Sequence, residues 1–149
     1  MSELPKLEFL AELVSKVTQT MFGMSFQLSG TQELPWKLEP PWRTALLPIP
    51  GKQPLTVAIA ADQSSASTLG GAMFSCGQAD VDASMIDDSL CELANIVAGQ
   101  VKRSMKLDQN LGLPKVISVT HEMDKQPWRG ATLNSGGRAV NVWVAISDS

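Results

Sequence analysis

Ile86, Leu90, Leu93, Val97 and Val101 recur at spacings of three and four within residues 82–106. At about 100° per residue they fall on one side of a helix. A helix of this length with one apolar side must lie against a surface wide enough to cover it. That surface is written in the opposite period. Val140, Val142, Val144 and Ile146 share one face of a strand, with Asn141 and Trp143 on the other. Leu55, Val57 and Ile59 do the same over residues 54–61, and Ile117 and Val119 alternate with Ser118 and Thr120 over 115–121. A period of two is that of a β-strand.

The rest of the chain fills in around this contrast. Leu7, Leu10, Val14, Val17 and Met21 predict a helix over 5–22, with Gly23 as its stop. Met24, Phe26 and Leu28 predict a short strand. Residues 43–49 read as a strand turning at Pro50-Gly51 into 54–61, and Pro48 places the first of the two at an edge or ends it early. Asp62 or Ser64 can cap a helix over 63–76 that ends at Gly77. Gly70-Gly71 inside it weakens the helix, and close approach of another element is a reason to keep them. Residues 30–42 are broken by prolines, and residues 122–137 are polar with a hairpin arm near Ala131–Leu133. The order is helix, strand, two strands, two helices, then two or three strands. This is not the alternation of a parallel sheet. It predicts an α+β fold, a largely antiparallel sheet covered by helices, as one domain over 1–149.

The inventory narrows the chemistry. The chain has one His, two Cys, no Tyr and a formal net charge of −3. An acidic balance lacks the basic footprint of a nucleic-acid binder. At 44% hydrophobic and 18% charged residues, disorder is not expected. No run approaches the roughly 18 apolar residues of a membrane span, and the first ten residues lack the basic start and apolar centre of a signal peptide. A cytoplasmic protein with reduced thiols is expected, and Cys91 reads as a small packed residue. His121-Glu122 begins like a zinc-binding helix motif, but position 125 is Lys, so no metal site is expected. Gly51-Lys52-Gln53 lacks the Ser/Thr of a phosphate loop, and Asn134-Ser135-Gly136-Gly137 reads as a turn. No nucleophile elbow is present. Lys102, Arg103 and Lys106 sit where a helix dipole favours cations, with docking as a second role.

The side of the 82–106 helix opposite its apolar face carries Asp88, Glu92, Asn95 and Gly99, at i, i+4, i+7 and i+11. They fall within roughly 60° of one another. Glu92 and Asn95 project side by side, about one turn apart, and Gly99 removes a side chain just beyond them. Gly there costs about 1 kcal/mol relative to Ala, and a use for that cost is to let a partner's backbone come close. The plain alternative is a solvated helix face, since E-x-x-N alone is common.

The longer run Asp88-Ser89-Leu90-Cys91-Glu92-Leu93-Ala94-Asn95-Ile96-Val97-Ala98-Gly99 resembles the signature helix of the CheC/CheX/FliY chemotaxis phosphatases. Those proteins carry an acidic residue, then E-x-x-N, then Gly four positions after the Asn. Leu113-Pro114-Lys115-Val116-Ile117 is similar to the family's lead into the following strand. The resemblance covers about residues 54–147. A single E-x-x-N copy is similar to CheX, which implies a homodimer. The resemblance further implies hydrolysis of the aspartyl phosphate on a response-regulator receiver domain. In that reading Glu92 and Asn95 are catalytic, and Asp88, Ile96 and Gly99 bind the partner. The receiver supplies Mg²⁺ and a Lys, so the chain needs no cofactor of its own. Two other readings stay open on the sequence: a non-catalytic adaptor using the same helix, and a structural relative of the flagellar switch.

Overall fold

The computed structural model describes residues 5–28, 42–118, 128–135 and 140–148. In chain order the elements are α1 (Leu7–Phe22), β1 (Phe26–Leu28), β2 (Trp42–Ile49), β3 (Leu55–Asp62), α2 (Gln63–Phe74), a 3₁₀ turn (Gln78–Asp80), α3 (Ala83–Ser104), β4 (Lys115–Ser118), β5 (Arg129–Ser135) and β6 (Asn141–Ser147). The strands form one six-stranded sheet in the order β1-β5-β6-β3-β2-β4, and every neighbouring pair is antiparallel. This is the α+β architecture expected from the mixed periods.

The helices share one face of the sheet. Leu10, Val14 and Val17 of α1 and Ile86, Leu90, Leu93, Val97 and Val101 of α3 are buried with Ala45, Leu47, Ile49, Leu55, Val57, Ile59, Val142, Val144 and Ile146 of the strands. The predicted apolar faces are therefore the ones that meet. The helix boundaries follow from local chemistry. The Asp62 carboxylate accepts from the Ser65 N–H at 2.7 Å, and that of Asp82 from the Met85 N–H at 2.9 Å, so each cap satisfies a donor that the first turn leaves orphaned. Gly23 closes α1 in the left-handed region, at φ 68°. α2 stops earlier than Gly77: Ser75 takes the left-handed conformation and the Cys76 N–H returns to the Gly71 carbonyl at 2.9 Å. A Cβ on Gly70 would come within 2.9 Å of Val81 Cγ1, and one on Gly71 within 2.8 Å of the Cys76 carbonyl oxygen. The glycine pair thus lets the chain leading into α3 press against α2.

Pro48 does not put β2 at an edge. β2 lies between β3 and β4. β4, however, pairs only Arg43–Leu46, so no strand flanks Pro48 on that side. There its carbonyl accepts from the Gly112 N–H at 2.7 Å. Within a strand residue the N–H and C=O point the same way, so the missing proline N–H removes no bond from the β3 ladder. The segment between α3 and β4 is strapped to this end of the sheet by Gln109, whose amide donates to the carbonyls of Ile49 and Gln53.

The centre of the other face of the sheet is also buried. Ala58, Ala60, Trp143 and Ala145 form a second cluster, joined by Leu46, Ile117 and Trp128. Trp128 meets Trp143 edge to face, with ring centroids 5.8 Å apart and an interplanar angle of 72°. The register sets Thr44, Ala60, Trp143 and Thr132 in one lateral row on this face. The Thr44 and Thr132 hydroxyls are buried without a hydrogen-bond partner among the described residues.

Candidate functional site

The site begins with the caps and core contacts of α3. Asp82 fixes where the helix starts, and the buried row from Ile86 to Val101 fixes which side faces the sheet. The opposite side is then determined by rotation. Asp88 and Glu92 are exposed, while Asn95 and Gly99 are half-buried on the same ridge. Asp88, Glu92 and Asn95 have no hydrogen-bond or ion-pair partner among the described residues. A Cβ built on Gly99 meets nothing within 4 Å, so alanine would fit there and packing inside the chain does not require glycine.

Ile96 stands apart from the ridge. It is half-buried against the core and looks toward α1. With Leu13, Lys16, Val17, Met21 and Gln100 it lines a shallow groove between α1 and α3. The expected partner-binding set is therefore a ridge of Asp88 and Gly99 with Ile96 on its flank.

Two residues outside the sequence reading border this surface. Asp87 lies on the other flank of α3, about 100° from Asp88. Its Oδ1 accepts from Arg43 of β2 twice, from Nη2 at 2.7 Å and from Nε at 2.8 Å. So of the neighbouring carboxylates one is tied to the sheet and two are unpaired. Asp87, Cys91 and Asn95 follow one inclined row along the helix at four-residue intervals, a signal present in the sequence. Arg43, forty-odd residues upstream, carries no local mark of the pairing.

Cys91 sits between these groups. Burial, followed by the charges of Asp87 and Asp88, pushes its thiol pKa up. A thiol so placed is a poor nucleophile at neutral pH, which fits a packing role. Among the described residues no group of three or more His, Cys, Asp or Glu is arranged to hold a metal ion, and no helix is long and apolar enough to cross a membrane. His121 and Glu122 lie outside the described residues.

A carboxylate and an amide without partners among the described residues thus stand on the outer ridge of a sheet-backed helix. Comparison with known proteins gives that surface a family. The model of the family described as chemotaxis phosphatase CheX matches residues 43–127, more than half of the chain and all of α3. The chain belongs to the CheX family. Solved structures share its fold. The chemotaxis protein CheX of Vibrio vulnificus superposes with a TM-score of 0.70 at 14% identity, over 93% of this chain and 92% of that one. The CheX of a CheX–CheY–BeF3–Mg²⁺ complex from Borrelia burgdorferi gives 0.70 at 14% identity, over 97% and 98%. FliY of Thermotoga maritima gives 0.60 at 8% identity, over 93% and 84%. No curated protein matches the sequence as a whole.

Proposed function

We propose that this chain is a phosphatase that hydrolyses the aspartyl phosphate of a CheY-like receiver domain. The observation that carries the reading is the pair Glu92 and Asn95, unpartnered side by side on the exposed ridge of α3, in a chain of the CheX family. A relative of the same fold, from Borrelia burgdorferi, forms a complex with CheY, which supports a receiver as the partner.

The chemistry asks little of this chain. An acyl phosphate is already reactive, and the receiver brings its own Mg²⁺ and Lys. What remains is to place a water in line with the scissile P–O bond, since phosphoryl transfer is governed by positioning and electrostatics. The Asn95 carboxamide can do this, because its C=O accepts from the water while its NH₂ donates nearby. Glu92, one turn away, pairs with the receiver's Lys and anchors the helix in the cleft. Asp88 and Gly99 extend the contact along the ridge, the first by charge and the second by close backbone approach. Ile96 meets the partner on the α1 side. The reaction runs in the cytoplasm, and the chain acts there as a homodimer with one site per protomer; sedimentation mass is the check, and a monomer at working concentration counts against the pairing.

The test is phosphate release from a phosphorylated receiver in Mg²⁺ with the chain substoichiometric. We expect repeated turnover, loss of about 10²-fold or more in kcat for Asn95→Ala with much of the binding kept, and weakened docking for Glu92→Lys. Full activity in Asn95→Ala overturns the assignment. Tight receiver binding without turnover would identify an adaptor instead, and binding that ignores phosphorylation would identify a switch-type structural protein.

A further inference from the structure

The face of α3 that meets the sheet is apolar: Ile86, Leu90, Leu93, Val97 and Val101 are buried with Ser89, Ala94 and Ala98 between them. Such contacts set which side of the helix faces the sheet, but they are non-directional and leave the last few degrees of rotation about its axis without a fixed stop. Rotation is what matters for a ridge that reaches into a partner. At a radius of several ångströms, a roll of about 10° moves a side-chain tip by roughly 1 Å. A misplacement of that size costs about 10²-fold in a reaction that depends on position.

Among the described residues, the directional contact between α3 and the sheet is the Arg43–Asp87 ion pair. Arg43 continues the row Ala45, Leu47, Ile49 on the helix-facing side of β2, and its guanidinium reaches Asp87 Oδ1 with two N–H groups, at 2.7 and 2.8 Å. Asp87 stands about two turns before Asn95 and some 80° round the helix axis from it. The pair is 32% and 36% exposed, which makes it a weak contributor to stability. Its geometry is still that of a strut, from the flank of α3 to the sheet. We propose that Arg43 and Asp87 are positioning residues that fix the rotation of α3 and thereby aim Asn95 and Glu92. Neither touches the substrate. The kinetic half of this proposal rests on the phosphatase reading, and the structural half does not.

The experiment compares Arg43→Ala, Asp87→Asn, the double variant and Arg43→Lys. For receiver dephosphorylation, each single loss lowers kcat about tenfold with KM within about twofold. The double variant is no worse than either single one, and Arg43→Lys recovers part of kcat. Unchanged kcat, additive losses, or a defect confined to KM overturns the proposal. In parallel, spin labels at Ser84→Cys on α3 and Leu113→Cys beyond it, with Cys76 and Cys91 replaced by Ser, report the helix directly. Their distance distribution shifts or broadens in Arg43→Ala and returns in Arg43→Lys; an unchanged distribution overturns the proposal whatever the enzymology. If the parent chain shows no turnover, the phosphatase reading fails, and the label distances alone decide on the strut.

Discussion

Three carboxylates and a thiol within six residues of α3 have different fates. Asp87 is bound to Arg43, Asp88 and Glu92 have no partner among the described residues, and burial, with the two aspartates nearby, pushes the Cys91 thiol pKa up. The thiol gives a sharp check on this arrangement. A raised pKa means less thiolate at a given pH, hence slower alkylation. The rate for Cys91 against pH, read by mass spectrometry, should rise with its midpoint above that of free cysteine in the same buffer. Asp88→Asn should bring the midpoint down by removing one of the charges. A midpoint at or below the free value would mean that Cys91 lies in a different setting. At this scale the sequence was legible where geometry is local. The helical repeat alone put Glu92 beside Asn95 and left Cys91 partly packed. It was silent on Arg43, because an ion pair between a strand and a helix far along the chain leaves no periodic trace.

Among the helices, α3 combines strong end signals with one weak residue. Asp82 caps it and the apolar row holds it down, yet Gly99 interrupts the exposed ridge with open space around it. Gly99→Ala should raise stability by about 1 kcal/mol, seen as a higher midpoint in thermal or urea unfolding. It should also raise KM for the phosphorylated receiver if the ridge docks there. A more stable variant with unchanged KM would remove Gly99 from the interface. The glycines of α2 behave otherwise, since Val81 and the Cys76 carbonyl occupy the space that a side chain would need. Sequence alone suggested close approach for Gly70-Gly71 and for Gly99 alike. The structure separates internal crowding from an opening to the outside. The end of α2 was harder to place. Gly77 was the expected stop, but Ser75 takes the left-handed turn, a conformation that few non-glycine residues announce.

At the scale of the whole molecule the sheet is covered by helices on one side and buried at its centre on the other, and only the helix side was evident from pattern. The alternation of Val142, Val144 and Ile146 marked the helix side plainly. The far side is built from alanines, two threonines and Trp143, with Leu46, Ile117 and Trp128 beside them, and of these only Ile117 stood out in the sequence, as part of an apolar alternation. The topology was partly hidden for a related reason. Pro48 looked like an edge marker, but β4 is short enough to leave a proline bare on an interior strand. The far side carries a stability prediction. The buried Thr44 hydroxyl has no hydrogen-bond partner among the described residues, so Thr44→Val, nearly the same shape, should stabilise the protein by about 1 kcal/mol in chemical unfolding. A destabilised Thr44→Val would mean that the hydroxyl has a partner in solution.

The strand order also determines how the sheet is assembled. β2 with β3, and β5 with β6, are hairpins closed by short connections, and each can form locally. They meet only along β3 and β6, where Thr56 pairs with Ser147 and Ala61 with Val142. The intervening chain, which includes α2 and α3, is the loop that must close before this seam can zip. Its entropy is spent before the seam's bonds repay it. The helix that carries Glu92 and Asn95 lies within this loop and packs on β2, β3 and β4, whereas α1 packs on β1, β5 and β6; each half of the sheet therefore carries its own helix, and the β3–β6 seam joins two units that are already layered.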